Sequence, residues 1–307
     1  MKSLQIARSL MILSVLLPGF PVLAQNKHSE QKFPSLEYER TEVRTLHSDI
    51  VGQDFELWIS LPRSYSDNKI RDYPIIYLMD PYRGFAMVKG LTDLLSAPNQ
   101  FIQEVIIVGI GYGGKGPEAM LKWALGRTRD LTPVQSEDTE ESYRSRLEAL
   151  GFHDTHIETG GAPLFMDFIR NELITFVESD YRINDNDRIF CGFSFGGLFG
   201  LYVLFHAPEL FNKYFIGSPS IHYKDEITFT YESNYAGQHT DLKARVFMSA
   251  GSLEESTSQH MKKMEELLLS RNYENLELKT AVIDHEGHAS SFAAAFNRAL
   301  IELLGTE

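Results

Sequence analysis

Hydrophobic positions along the chain fall into two recurring patterns, continuous apolar runs of strand length and apolar residues at helical spacing. Tyr73 to Met79 and Glu104 to Ile110 are runs of the first kind, the pattern of strands buried on both faces of a parallel sheet. Asp187 to Phe190, Tyr214 to Ser218, Arg245 to Ala250 and Leu276 to Ile283 read as further strands. Phe55, Leu57 and Ile59 alternate with polar partners, so with Val43–Ser48 and a turn around Gly52 they predict a hairpin. Helical spacing appears in Phe165, Phe168, Ile169, Leu173, Phe176 and Val177, again in Met261, Met264, Leu267 and Leu268, and last in Phe292, Phe296, Ala299, Leu300 and Leu303. Strands alternating with helices over short connections imply an α/β chain with a mostly parallel, doubly wound sheet flanked by helices.

Two stretches interrupt the alternation. Gly111 to Gly116 is a glycine-rich loop without the Ser or Thr after Lys115 that a phosphate cradle needs. Residues 134–160 are polar and acidic and read as an inserted loop or lid; His153 and His156 within it have no further ligand cluster, so no metal is expected.

At Gly192-Phe193-Ser194-Phe195-Gly196 a strand runs into a glycine-flanked serine, and an apolar run of helix length follows. A strand, G-x-S-x-G and a helix in that order form a nucleophile elbow, with the hydroxyl lifted clear of the sheet and helix N–H groups aimed at a developing oxyanion. Such a serine needs a base and an orienting acid, in the chain order Ser, acid, His. Both are available at strand ends. Glu254, with Glu255 and Asp284 as alternatives, supplies the acid, and His288, preferred to His285, the base. Strand ends on one edge converge, since open α/β sheets bind ligands there. The oxyanion donors are expected to be the backbone N–H of Phe195 and that of Tyr82, because Pro81 has none to give.

Of the 307 residues, 43% are hydrophobic and 23% charged, an ordinary globular balance. A net charge of −13 without a basic cluster excludes a nucleic-acid surface. Lys2, Arg8, the short apolar run Leu10–Leu17 and the small-residue site ending at Ala24 predict a cleaved signal peptide over 1–24. A flexible leader over 25–40 and a folded domain over 41–307 follow, in an exported chain, periplasmic or secreted, with no stable membrane insertion after cleavage. Cys191 is the single cysteine, so no intramolecular disulfide forms.

Tyr73–Asp80, Arg127–Pro133, Gly192–Gly200, Ser218–Ser220, Gly251–Glu254 and Glu286–His288 together resemble the putative-esterase branch of the α/β-hydrolases, from about Thr41 to Leu304. That branch includes the trilactone-siderophore esterases, with esterase D as a more distant relative. The resemblance implies an α/β-hydrolase fold and a serine esterase working through an acyl-serine intermediate on a small-molecule ester, with no metal or organic cofactor. It implies Ser194 as nucleophile, His288 as base, an acidic residue at Glu254 and a substrate-facing arginine at Arg127; an ion pair with a nearby acid is the other reading of that arginine. With Arg129 it would make a local positive patch for an anionic substrate. Two departures stand out, Asp80-Pro81 where Asp-Gly is usual and Phe193 where His is common. The expected substrate is a siderophore trilactone; the alternatives are a broad carboxylesterase on small acyl or aryl esters, and a non-catalytic binding protein on a hydrolase scaffold.

Overall fold

The unbroken burial of β3 (Tyr73–Met79) places the sheet at the centre of two helical layers. Tyr73, Ile75, Tyr77 and Met79 point into one apolar cluster, and Ile76 and Leu78 into the other. In this computed structural model, which describes residues 37–96 and 101–306, the chain from Glu39 onward forms one unit. The expected signal peptide and most of the expected leader lie outside the described residues.

The strands are β1 (Thr41–Ser48), β2 (Gln53–Ser60), β3, β4 (Ile106–Gly111), β5 (Ile183–Phe193), β6 (Lys213–Gly217), β7 (Asp241–Gly251) and β8 (Glu274–Ile283). They form one eight-stranded sheet in the order β1-β2-β4-β3-β5-β6-β7-β8. β1 and β2 make the expected hairpin around Gly52, whose φ of +74° suits a residue without Cβ. β2 lies antiparallel to β4, and from β4 to β8 every pairing is parallel.

One face is covered by α1 (Pro81–Leu95) and α9 (Ser291–Leu304), through Phe85, Val88, Phe296 and Leu300. The other face carries α4 (Ala162–Phe168), a π-turn (Ile169–Leu173), α5 (Ile174–Asp180), α6 (Phe195–His206), α7 (Tyr223–Ala236) and α8 (Glu255–Arg271). In α6 every residue from Phe195 to Phe205 is buried, so the helix is apolar all round and sits in the core. This is the α/β-hydrolase arrangement.

Helices lie where the sequence pattern predicts none, and one expectation needs correction. After Asp80, α1 starts at Pro81, whose missing N–H does no harm in a first turn. Pro117–Asp130, not singled out from the sequence, is a helix, α2, with Gly116 as its N-cap at φ +55°. The stretch 134–160 is not all loop, because Glu137–Ala149 forms α3. The Ser136 side chain accepts from the Thr139 N–H, and Glu137, Asp138 and Glu140 favour the positive end of the helix. Leu147 buries α3 against Ala124 of α2 and Ile157 in a small separate cluster.

Candidate active site

β5 delivers its last residues to the elbow with little room to spare. A Cβ on Gly192 would sit 2.2 Å from the carbonyl oxygen of Gly196, so only glycine lets the chain pass itself there. Ser194 holds φ 62° and ψ −117°, outside the regions an L-residue normally adopts. Its N–H donates to the Gly217 carbonyl at 2.9 Å, and its carbonyl accepts from the N–H groups of Leu198 (3.0 Å) and Ser220 (3.2 Å). The end of β6 and the first turn of α6 thus brace the strained residue from two sides.

The carboxyl ends of β7 and β8 are welded together. The N–H of Ser252 donates to the Ile283 carbonyl (2.8 Å), and that of Leu253 to the Glu286 carbonyl (2.9 Å). The His285 N–H in turn donates to the Ser252 hydroxyl at 2.8 Å. A Cβ on Gly251 would meet the Glu286 oxygen at 2.3 Å, which accounts for the glycine at that strand end.

Out of this join comes an ordered carboxylate–imidazole pair. The Glu254 side chain is buried, 7% exposed. Its Oε1 accepts from the Gly251 N–H at 2.9 Å and from the Ser218 hydroxyl at 2.8 Å. Its Oε2 lies 2.5 Å from Nδ1 of His288. A carboxylate only accepts, so Nδ1 carries the proton and Nε2 is left with its lone pair. Burial alone would raise the Glu254 pKa, but the bonds from His288, Gly251 and Ser218 outweigh it and hold the carboxyl below its ordinary value. The His288 ring, half exposed, leans on Phe193 with centroids 5.1 Å apart. Of the alternatives, the Asp284 and His285 side chains are 82% and 92% exposed and face each other, and Glu255 opens α8 at the surface. Ser218, buried and at φ 38°, enters the sequence reading only within the Ser218–Ser220 match and with no role assigned, yet it orients Glu254.

The opposite wall is the end of β3 and the start of α1. A Cβ on Gly196 would lie 3.3 Å from the Met79 Cβ and 3.8 Å from an Asp80 carboxylate oxygen, so this end abuts the elbow. Asp80 is left-handed, at φ 57° and ψ 46°. Tyr82 and Phe195 both fall in first helical turns, where N–H groups have no intrahelical acceptor.

Ser194, His288 and Phe193 line one cavity of about 540 Å³. Met79, Met87, Met120, Leu147 and Leu150 make it apolar, the last two from α3 and its C-cap. Arg127 also lines it, but its guanidinium is buried and committed: Nε and Nη2 donate to the two Asp80 oxygens at 3.0 and 3.1 Å, and Nη1 donates to the Tyr143 hydroxyl at 2.8 Å. The ion-pair reading is therefore the one its geometry takes. Arg129 is not brought to the cavity at all. It pairs with buried Asp130 at 2.6 Å and borders a separate cavity of about 480 Å³ with Gln53, Tyr112 and Glu158. His156 pairs with Glu158 at the surface, and among the described residues no group of three or more His, Cys, Asp or Glu is placed to hold a metal ion. Among the described residues no helix is long and apolar enough to cross a membrane.

A family model described as putative esterase matches residues 48–150 and 126–306 of the chain. Over 268 residues the chain is 28% identical to the ferri-bacillibactin esterase BesA of Bacillus subtilis (strain 168), covering 85% of this chain and 88% of that one. Over 173 residues it is 30% identical to the siderophore triacetylfusarinine C esterase of Aspergillus fumigatus, covering 55% of this chain and 52% of the relative. Among solved structures, that of the BES protein from Bacillus cereus superposes with a TM-score of 0.75 at 27% identity, covering 90% of this chain and 98% of that one.

Proposed function

The chain belongs to the putative-esterase family and is an ester-hydrolysing enzyme, and from that premise we propose that Ser194, His288 and Glu254 are its catalytic triad and a siderophore trilactone its substrate. One observation supports the triad above the rest. Glu254 Oε2 stands 2.5 Å from His288 Nδ1, while the imidazole and the strained Ser194 line the same cavity.

In this reading, His288 Nε2 takes the proton of the Ser194 hydroxyl as Oγ adds to the ester carbonyl. Glu254 keeps Nδ1 protonated and steadies the imidazolium without taking its proton. The oxyanion is held by the N–H groups of Phe195 and Tyr82, each such donor being worth about 3–4 kcal/mol. Collapse breaks the bond to the leaving oxygen, which receives the proton from His288. A water, deprotonated by His288 in turn, then splits the acyl-serine to release the acid and regenerate Ser194.

The named activities of the relatives from Bacillus subtilis and Aspergillus fumigatus support a siderophore ester as substrate. The methionine- and leucine-rich wall favours a second reading, a carboxylesterase on small acyl or aryl esters. For the chain's own organisation, we propose that residues 1–24 are a cleaved signal peptide and that the enzyme works outside the cytoplasm.

The test is turnover of a catecholate trilactone beside p-nitrophenyl acetate, butyrate and octanoate, by wild type and Ser194→Ala. Fast trilactone cleavage lost in Ser194→Ala upholds the proposal. Preference for the simple esters leaves the triad and removes the siderophore, and turnover that survives Ser194→Ala removes the triad.

A further inference from the structure

The cavity beside Ser194 carries more positive charge than a chain of net charge −13 would lead one to expect. Three arginines line it: Arg83 from α1, Arg127 from α2 and Arg146 from α3. Asp80 is the one carboxylate among its lining residues, and Arg127 neutralises it. That leaves two charges. Among the described residues, neither the Arg83 nor the Arg146 guanidinium has a hydrogen-bond acceptor or a carboxylate partner, although the chain has 42 acidic residues to offer.

Both guanidiniums, on exposed residues, lie over aromatic rings. The Cζ of Arg83 lies 4.4 Å from the centroid of the Trp123 ring, and that of Arg146 lies 5.5 Å from that of Tyr143. A guanidinium over a ring face leaves its N–H donors free for a planar or chelating anion. The rings are themselves fixed, since the Trp123 indole N–H donates to Asp80 at 2.7 Å and the Tyr143 hydroxyl accepts from Arg127. Arg127 thus does its work one layer below, positioning the rings on which the two free arginines rest.

We propose that Arg83 and Arg146 form an anion-binding subsite at the mouth of the catalytic cavity, selecting esters that carry a carboxylate, phenolate or similar delocalised oxyanion. This rests on the esterase reading of Ser194 and names the substrate class of that site. The subsite draws on two helices, α1 and α3, whose arginines line the same cavity as the nucleophile.

The test compares two esters of one shape and different charge, 4-carboxyphenyl butyrate and 4-carbamoylphenyl butyrate, in the wild type, Arg83→Gln, Arg146→Gln and the double variant. Wild type should favour the carboxylate ester, and less so as salt is added. Each substitution should lower kcat/KM for it about tenfold, the loss of one charged hydrogen-bond partner, and leave the amide ester unchanged. Turnover of the amide ester by wild type and not by Ser194→Ala checks the esterase reading separately. If wild type turns over neither ester, calorimetric binding of 4-hydroxybenzoate against 4-hydroxybenzamide decides the arginines' role alone. Equal losses for both esters, or no loss for the anionic one, would overturn the proposal, as would 4-hydroxybenzoate binding that the double variant retains.

Discussion

Arg127 grips Asp80 through two parallel hydrogen bonds, Nε to Oδ1 at 3.0 Å and Nη2 to Oδ2 at 3.1 Å, and so fastens α2 to the end of β3. Asp80 is the left-handed residue from which α1 departs, and Tyr82, two residues on, would donate to the oxyanion. A bidentate pair fixes direction as well as distance. The ion pair therefore positions one side of the site.

Arg127→Ala should accordingly act on stability and on kcat together. Both partners are largely buried, and removing one leaves an uncompensated charge, a loss of roughly 3–5 kcal/mol. Thermal unfolding should show a large fall in Tm. Arg127→Lys should recover only part, since an ammonium cannot make the two-pronged contact. A substrate-facing arginine would give the reverse pattern, an unchanged Tm with a raised KM, and that result would refute the positioning role.

Glu254 makes a pH prediction whose sign follows from its environment. Its carboxyl titrates below the ordinary 4.5 in the folded chain, since three hydrogen bonds outweigh burial. A group with a depressed folded pKa stabilises fully above its unfolded pKa and loses that contribution as pH falls through the folded one. Wild type should thus exceed Glu254→Gln in stability near neutrality, with the gap closing as pH drops below 4.5. The same variant loses the charge that steadies the imidazolium, and kcat should fall on the order of 10³- to 10⁴-fold. Constant stability difference across pH 3 to 7, on the order of the titration range of a carboxyl, would show that Glu254 is not ionised against His288.

The strands of this sheet were legible because burial on both faces leaves a continuous apolar run, as in Tyr73–Met79, whose bounds match the structure. The elbow was legible for a steric reason, since Gly192 stands where no Cβ fits. Helix α3 was not, because Tyr143 and Leu147 are few among many charges, although Ser136 and the acids after it are start signals in hindsight. Helix α1 hid behind Pro81, which reads equally as a turn or as a first helical residue. The sequence put Glu254 ahead of Glu255 and Asp284 but could not show why: its contacts with His288 and Ser218 arise where distant strand ends meet. Arg127 and Arg129 drew notice as charges in a shared motif, whereas Arg83 and Arg146 have no local pattern at all. A buried paired arginine and a free one look alike until their acceptors are known.

Cys191 lies in β5, three residues before Ser194, and is buried. Burial pushes its thiol pKa well above the ordinary value, so no thiolate forms at neutral pH. A thiol reagent such as 5,5′-dithiobis(2-nitrobenzoate) should release no thionitrobenzoate from the native protein and one equivalent after denaturation. Reducing agents should leave turnover unchanged. Rapid native labelling with loss of activity would mean that β5 opens at the elbow.

The strain at Ser194 should be measurable as stability withheld. At φ 62° and ψ −117° an L-residue is held against its backbone preference, while glycine has no Cβ to oppose that geometry. Ser194→Gly should therefore unfold later than wild type, by about 1–3 kcal/mol, and Ser194→Ala, which keeps Cβ and the strain, should not share the gain. Both lose the nucleophile and should lose turnover alike. The glycine variant also enlarges the conformational freedom of the unfolded chain, which works against the gain by about 0.5–1 kcal/mol, so the net rise is smaller than the strain released. Chemical denaturation of the three proteins in parallel decides the point. If glycine is no more stable than alanine, the strain at the elbow does not exceed that entropic cost of about 0.5–1 kcal/mol; if it is more stable, the enzyme keeps a destabilising serine there for its chemistry.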